Sequence, residues 1–179
     1  AGVPCNTAHA PVLYDTLAAT LAAEGRALRL VHIVDAIVAH VRELAPGVTR
    51  VGVLATDASL AARLHEVGLE AAGMDAVVPD ADVQRRLVQP SIFDAAWGLK
   101  AVSSPPSARA RAALLEATEH LAAKGAEAVV LGCTELPLAV PEPHHAGVVL
   151  VNSTRALARA LVRATHPAKL RALPAPAAC

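Results

Sequence analysis

The chain has 179 residues, more than half of them hydrophobic and only 2% aromatic, enough for one large domain or two small α/β lobes with cores of Ala, Val and Leu. Its 16 basic residues balance its 16 acidic ones, and this neutrality, with no basic cluster, argues against nucleic acid or an anionic membrane surface as partner. No apolar run reaches the roughly 18 residues a membrane-spanning helix needs, so no membrane partner is expected.

In chain order, Gly2 to His9 reads as the end of a strand turning into a helix. Pro11 suits that helix's first turn, where a missing N–H costs nothing. The helix runs through Leu13, Leu17 and Leu21 and stops at Gly25. Leu28 to Ile33 reads as a short strand, and Val34 to Leu44 as a helix ending before Pro46-Gly47. Arg50 to Ala55 (RVGVLA) is the clearest strand. Thr56-Asp57 then caps an Ala/Leu helix to about Ala72. Asp75 to Val78 is another strand, and Asp80 to Gly98 is mostly helical, interrupted at Pro90. Ser103 to Pro106 is a loop, and Ala108 to Lys124 a long helix closed by Gly125. Ala126 to Leu131 is a buried strand, with Gly132-Cys133-Thr134-Glu135 the turn at its carboxyl end. After a loop over Pro141 to His145, Val148 to Val151 is a last strand. Asn152-Ser153-Thr154 caps a final helix to about Thr165, on which Arg155, Arg159 and Arg163 form a solvated face.

Alternating apolar strands and helices imply mostly parallel sheets covered on both faces, where ligands bind at the carboxyl ends of strands. Two similar turns stand at such places, Pro4-Cys5-Asn6-Thr7 and Gly132-Cys133-Thr134-Glu135. Each puts a cysteine at a helix N-terminus, where backbone N–H groups lower a thiol pKa. The same N–H groups, with Asn6, Thr7 and Thr134, could hold a carboxylate. Two thiols suit inversion at a carbon bearing hydrogen: one removes the proton and the opposing one delivers another. No convincing pyridoxal-phosphate lysine or phosphate loop accompanies them. The third cysteine, Cys179, has no partner in sequence. An odd, widely spaced set of three fits a thiol-reducing, cytoplasmic compartment better than a disulfide framework.

PCNTAH at Pro4 to His9 and LGCTELPL at Leu131 to Leu138 resemble the two signature segments of the aspartate/glutamate racemase family. VGVLATD at Val51 to Asp57, WGLKA at Trp97 to Ala101 and VNSTRALARALV are similar to that family too, in the same order. The resemblance implies an α/β fold of two pseudo-symmetric lobes with mostly parallel sheets flanked by helices, the site lying between them. It implies that Cys5 and Cys133 are the acid/base pair, with no cofactor and no metal. Asn6, Thr7 and Thr134 would hold the α-carboxylate of a small amino-acid substrate. Lys100 matches a lysine that reaches an acidic side chain of the substrate, the alternative being an exposed lysine at a helix end. Thr56 matches a strand-end threonine lining the site, the alternative being simple capping. Glu135 follows the GCTE pattern of aspartate racemases, which points away from strict glutamate racemisation.

Chains of this family begin with further βα units before PCNT. By that comparison roughly 60–80 residues are absent, two units at about 30 or more each, so the first lobe is expected to be incomplete. Residues 1–34 would be its remainder, rejoined by 146–166, with 35–145 the second lobe and 167–179 a flexible tail. An uncovered lobe surface would favour aggregation or a homodimer. Asn152 stands where the family often has an acidic residue. His9 lies four after Cys5, a spacing that can bind metal, but no second ligand pair is near. His144-His145 reads as solvated and Trp97 as packing. Alternative functions are a related hydantoin racemase, maleate isomerase or decarboxylase, or an inert truncated fragment.

Overall fold

The computed structural model describes residues 1–173; Cys179 and the end of the expected tail lie outside the described residues. The helices are α1 (Pro11–Ala23), α2 (Ile33–Leu44), α3 (Asp57–Ala61), α4 (Leu64–Ala71), α5 (Ala81–Val83), α6 (Gln89–Phe93), α7 (Ala108–Ala123), α8 (Leu136–Ala139) and α9 (Ser153–Thr165). The strands are β1 (Arg50–Leu54), β2 (Asp75–Val77), β3 (Ala128–Leu131), β4 (His144–His145) and β5 (Val148–Asn152). They form one sheet in the order β2-β1-β3-β5-β4, parallel except for β4.

Side chains alternate across a strand, and here both faces are apolar. Val51, Val53, Ala128, Val130 and Val151 meet α2, α4 and α9 on one side. Leu54, Val129, Leu131 and Leu150 meet α6, α7 and α8 on the other. The α/β class expected from the sequence is what the chain adopts. β5, within the segment expected to rejoin the first lobe, pairs with β3 in this same sheet.

Several local readings differ: residues 2–4, expected to end a strand, join no sheet, and His144–His145, expected in a loop, pairs with β5 as β4. Leu28–His32 is extended but joins no sheet; its partner is Ala1, whose carbonyl accepts from Val31 N and whose amine donates to Arg29 O. Without a neighbouring ladder, β propensity alone makes no strand. The helix expected over 57–72 breaks at Arg63, which takes a left-handed φ of 50°. That break separates α3 from α4 and turns Leu64 and His65 into the core. The helix expected to reach Gly98 ends at Phe93, because Asp94 Oδ1 accepts from Ala96 N (2.9 Å) and Trp97 N (3.1 Å). It passes Pro90 by a π turn over Gln84–Val88. Arg159 and Arg163, expected on a solvated face, approach Glu43 of α2 instead.

α1 is apolar and packs no side chain into the core; Val12 is 81% and Leu13 55% exposed. Among the described residues no helix is long and apolar enough to cross a membrane.

Candidate active site

The carboxyl ends of β1, β3 and β5 carry Thr56, Cys133 and Ser153, and the PCNT turn crosses above them. Thr56 caps α3 by accepting from Ser59 N (3.2 Å). Thr7 brings its hydroxyl to Ser59 Oγ (3.0 Å) and Thr56 Oγ1 (3.4 Å). These contacts pin the residues after Cys5 to the end of β1. Asn6 is pinned further along the same edge. Its Nδ2 donates to Ser153 Oγ (3.1 Å), and its Oδ1 lies 3.1 Å from His65 Nε2. At 3% exposure, the Asn6 side chain faces the protein, whereas Cys5 is exposed.

His9 closes the other side of this turn. Its Nε2 donates to Val3 O (2.9 Å), and its Nδ1 accepts from Ile33 N (3.3 Å). Both ring nitrogens are engaged, which leaves no lone pair for a metal despite the Cys5–His9 spacing. Burial lowers the His9 pKa, in keeping with the neutral ring these two bonds require. Among the described residues no group of three His, Cys, Asp or Glu side chains could hold a metal ion.

Around Cys133 the chemistry is ionic. Its thiol donates to Glu135 Oε2 (2.9 Å), which also accepts from Thr134 Oγ1 (3.0 Å), while Lys100 Nζ lies 2.5 Å from Glu135 Oε1. Burial would push the Glu135 carboxyl up, but the bonds from Cys133, Lys100 and Thr134 outweigh it and bring it down to about 2. Burial, reinforced by the Glu135 carboxylate, pushes the Cys133 thiol up to about 12. A lowered thiol pKa was the expectation from the helix N-terminus, and for Cys133 it is corrected. α8 is a single turn, too short for a large field, and a buried sulfur beside a carboxylate keeps its proton.

The Lys100 pKa is raised first by the Glu135 hydrogen bond, against an opposing push from burial, then by the Glu135 charge and lastly by Cys133 and Cys5. Cys133, Lys100, Thr134 and Glu135 therefore sit together after β3, and the turn that carries Cys5 is tied in through Asn6, whose Oδ1 meets the same His65 ring that lies against Gly132, and through Thr7, bonded to Thr56. Trp97 packs against the core with Arg109 4.4 Å from its ring centre, and His145 bonds Glu119 (3.0 Å) rather than standing free. A separate cavity of about 420 Å³ lies beside β5, lined by His40, Glu43, Val149 and Arg155 among others, and neither cysteine borders it.

Sequence reasoning missed Ser59, His65, Gln84 and Ser153. Gln84, on the π turn, donates to Ala55 O (3.0 Å) and Asp57 Oδ1 (2.8 Å), fixing the backbone around Thr56. Ser59 had a signal, standing three residues after a helix cap. His65 had a weaker one, a histidine four residues before Leu69 on the apolar face of its helix.

The Asp/Glu/Hydantoin racemase family profile matches residues 3–161. A Pectobacterium carotovorum subsp. carotovorum protein, described as an uncharacterized protein in the pnlA 3′ region, is 38% identical over 90 residues, 50% of this chain and 55% of that protein. An aspartate racemase homologue from Pyrococcus horikoshii superposes with a TM-score of 0.64 at 26% identity, covering 86% of this chain and 62% of its own. Picrophilus torridus aspartate racemase gives 0.60 at 18% identity, covering 91% and 60%. Francisella tularensis glutamate racemase, solved with D-glutamate, gives 0.63 at 15% identity, covering 97% and 59%. The last two share the fold alone. The chain thus spans about half the length of the curated relative and about three-fifths of these solved proteins. Both cysteine turns, Thr56 and Lys100 fall inside the matched segment, and the chain belongs to the Asp/Glu/Hydantoin racemase family.

Proposed function

We propose that this chain carries the two-thiol machinery of a cofactor-independent racemase acting on an acidic amino acid, aspartate before glutamate. The observation that supports it most is that the neighbours of the two cysteines, Asn6 and Gly132, meet on one buried ring, His65. Cys133, which burial and Glu135 keep protonated, is the resting acid. Cys5, exposed at the edge, is the base. The Cys5 thiolate removes the α-proton, and the Cys133 thiol delivers its own proton to the opposite face of the carbanion. Each turnover leaves the two sulfurs with exchanged protonation, ready for the opposite enantiomer. The carbanion needs its α-carboxylate held by donors positioned in advance, a role for Thr7 and Thr134. A distal carboxylate of the substrate competes with Glu135 for Lys100.

The test is α-deuteration of a panel of L-amino acids in D₂O, followed by NMR, with maleate and a hydantoin as controls for the related activities. Exchange confined to acidic amino acids, with formation of the D-enantiomer (read by chiral chromatography) abolished in Cys5→Ser and in Cys133→Ser, supports the reading, although either variant can retain exchange of one enantiomer. Near-parent racemisation in either serine variant refutes it. The exposed apolar side chains of α1 favour a second reading, in which the 179-residue chain alone is inert and self-associates. Sedimentation of the chain, with exchange assays on the same sample, separates the two.

A further inference from the structure

The residue beside each cysteine touches the same buried side chain. Asn6, next to Cys5, places Oδ1 3.1 Å from His65 Nε2. Gly132, next to Cys133, lies against the His65 ring: a Cβ built on Gly132 would stand 2.9 Å from both Cε1 and Nε2. The same Cβ would be 3.0 Å from Leu54 O, which accepts the Gly132 N–H at 2.7 Å. The imidazole is thus wedged between the two turns, and only glycine at 132 admits it. His65 is fully buried, and its Nδ1 has no partner among the described residues. Asn6 Oδ1 can only accept, so Nε2 carries the hydrogen. Burial brings the ring pKa down to about 4, so the ring stays neutral near pH 7 and acts as a fixed donor.

We propose that His65 is a positioning residue that sets the separation of the two thiols, holding Asn6 through its Nε2–H and Gly132 through the face of its ring. This rests on the two-thiol reading, because the separation matters only if both sulfurs address one carbon. Proton transfer between poised groups is steep in distance. A displacement near 1 Å costs on the order of 100-fold in rate. A leucine at 65 would fill most of the volume but leave Asn6 Oδ1 buried without a donor, and the turn would shift to satisfy it. A glutamine can present an N–H where Nε2 now stands.

The experiment compares His65→Leu and His65→Gln with the parent, all in a Cys179→Ser background so that only Cys5 and Cys133 report. Circular dichroism checks the fold. The first readout is α-deuteration: His65→Leu should lose roughly 30–100-fold in kcat with KM within about threefold, and His65→Gln should recover most of it. The second needs no turnover: iodoacetamide alkylation of each cysteine, followed by mass spectrometry. His65→Leu should change the rate at both thiols by about threefold or more, with His65→Gln near parent. Should His65→Leu not fold, Gly132→Ala pushes the ring from the other side and should alter alkylation of Cys5, far away in sequence. A folded His65→Leu protein with both alkylation rates unchanged overturns the proposal. So does a His65→Gln protein as disturbed as His65→Leu, or a Gly132→Ala protein with unaltered Cys5. If the parent exchanges deuterium with no amino acid, the racemase reading fails, and the alkylation rates alone decide the role of His65.

Discussion

Replacing Glu135 by glutamine should move the Cys133 thiol pKa by an amount set by the loss of one charge. In the parent, Cys133 Sγ donates to Glu135 Oε2 at 2.9 Å, and its pKa is up to about 12, from burial first and then from that carboxylate. Glutamine keeps an acceptor in place and removes the charge. A hydrogen bond to a charged group is worth roughly 1.5–3 kcal/mol against about 1 for a neutral one. The difference, about 1–2 kcal/mol, corresponds to about one pH unit at 1.36 kcal/mol each. Lys100, no longer paired at 2.5 Å with Glu135, adds its own attraction for a thiolate. The sum places Cys133 roughly one to two pH units lower, with burial still holding it above an ordinary cysteine. The assay is the pH dependence of Cys133 alkylation in a Cys5→Ser, Cys179→Ser background, supported by ultraviolet thiolate absorbance. A glutamine variant whose Cys133 titrates where the parent does would show that burial alone holds the proton, and Glu135 would lose its part in making Cys133 the resting acid.

Acid should destabilise the protein through His65. The unfolded chain takes up a proton near pH 6.5 that the folded ring refuses until about 4, so stability present above 6.5 is lost as pH falls through that window. The loss is at most about 3 kcal/mol, and urea midpoints should fall less steeply with pH in His65→Leu. Asn152→Ala should cost about 1 kcal/mol in thermal unfolding, because Asn152 Oδ1 accepts from Arg155 N at 2.9 Å to cap α9. Asn152→Asp should keep that stability, which makes the asparagine interchangeable with an acidic cap at this position. Arg63→Gly should raise the unfolding midpoint by relieving a left-handed residue worth roughly 1–2 kcal/mol. It loses an exposed pair with Glu70 and a longer 4.0 Å pair with Glu66, such surface pairs being worth about 0–1 kcal/mol.

The sheet was legible because its strands are short, β-branched and bounded by turn residues: RVGVLA and AEAVVL stand out at any window. The breaks were not. Arg63 gives no local sign of a left-handed backbone, which arises because the buried positions of α4 reach the core only if the helix axis turns there. Leu28–His32 has strand composition and lacks only a neighbour, which no local pattern reveals. In the site, Cys5, Cys133 and Lys100 carried motif signals, whereas His65 and Ser153 look like ordinary polar residues on amphipathic helices. Their part comes from positions 6, 65, 132 and 153 meeting at one point, which is tertiary information.

The two cysteine turns resemble each other in sequence, yet the structure gives them opposite surroundings. Cys5 is exposed, and the polar neighbours around it bond to Asn6 and Thr7 rather than to the sulfur. Cys133 is buried and hydrogen-bonds a carboxylate that is itself neutralised by Lys100. Matching motifs would suggest matching thiols, but thiol acidity follows solvent and charge, not sequence. At Cys133 the Glu135 carboxylate holds the proton and Lys100 tempers that hold, so an anionic substrate that drew Lys100 away would leave Glu135 less neutralised and bind the Cys133 proton more tightly.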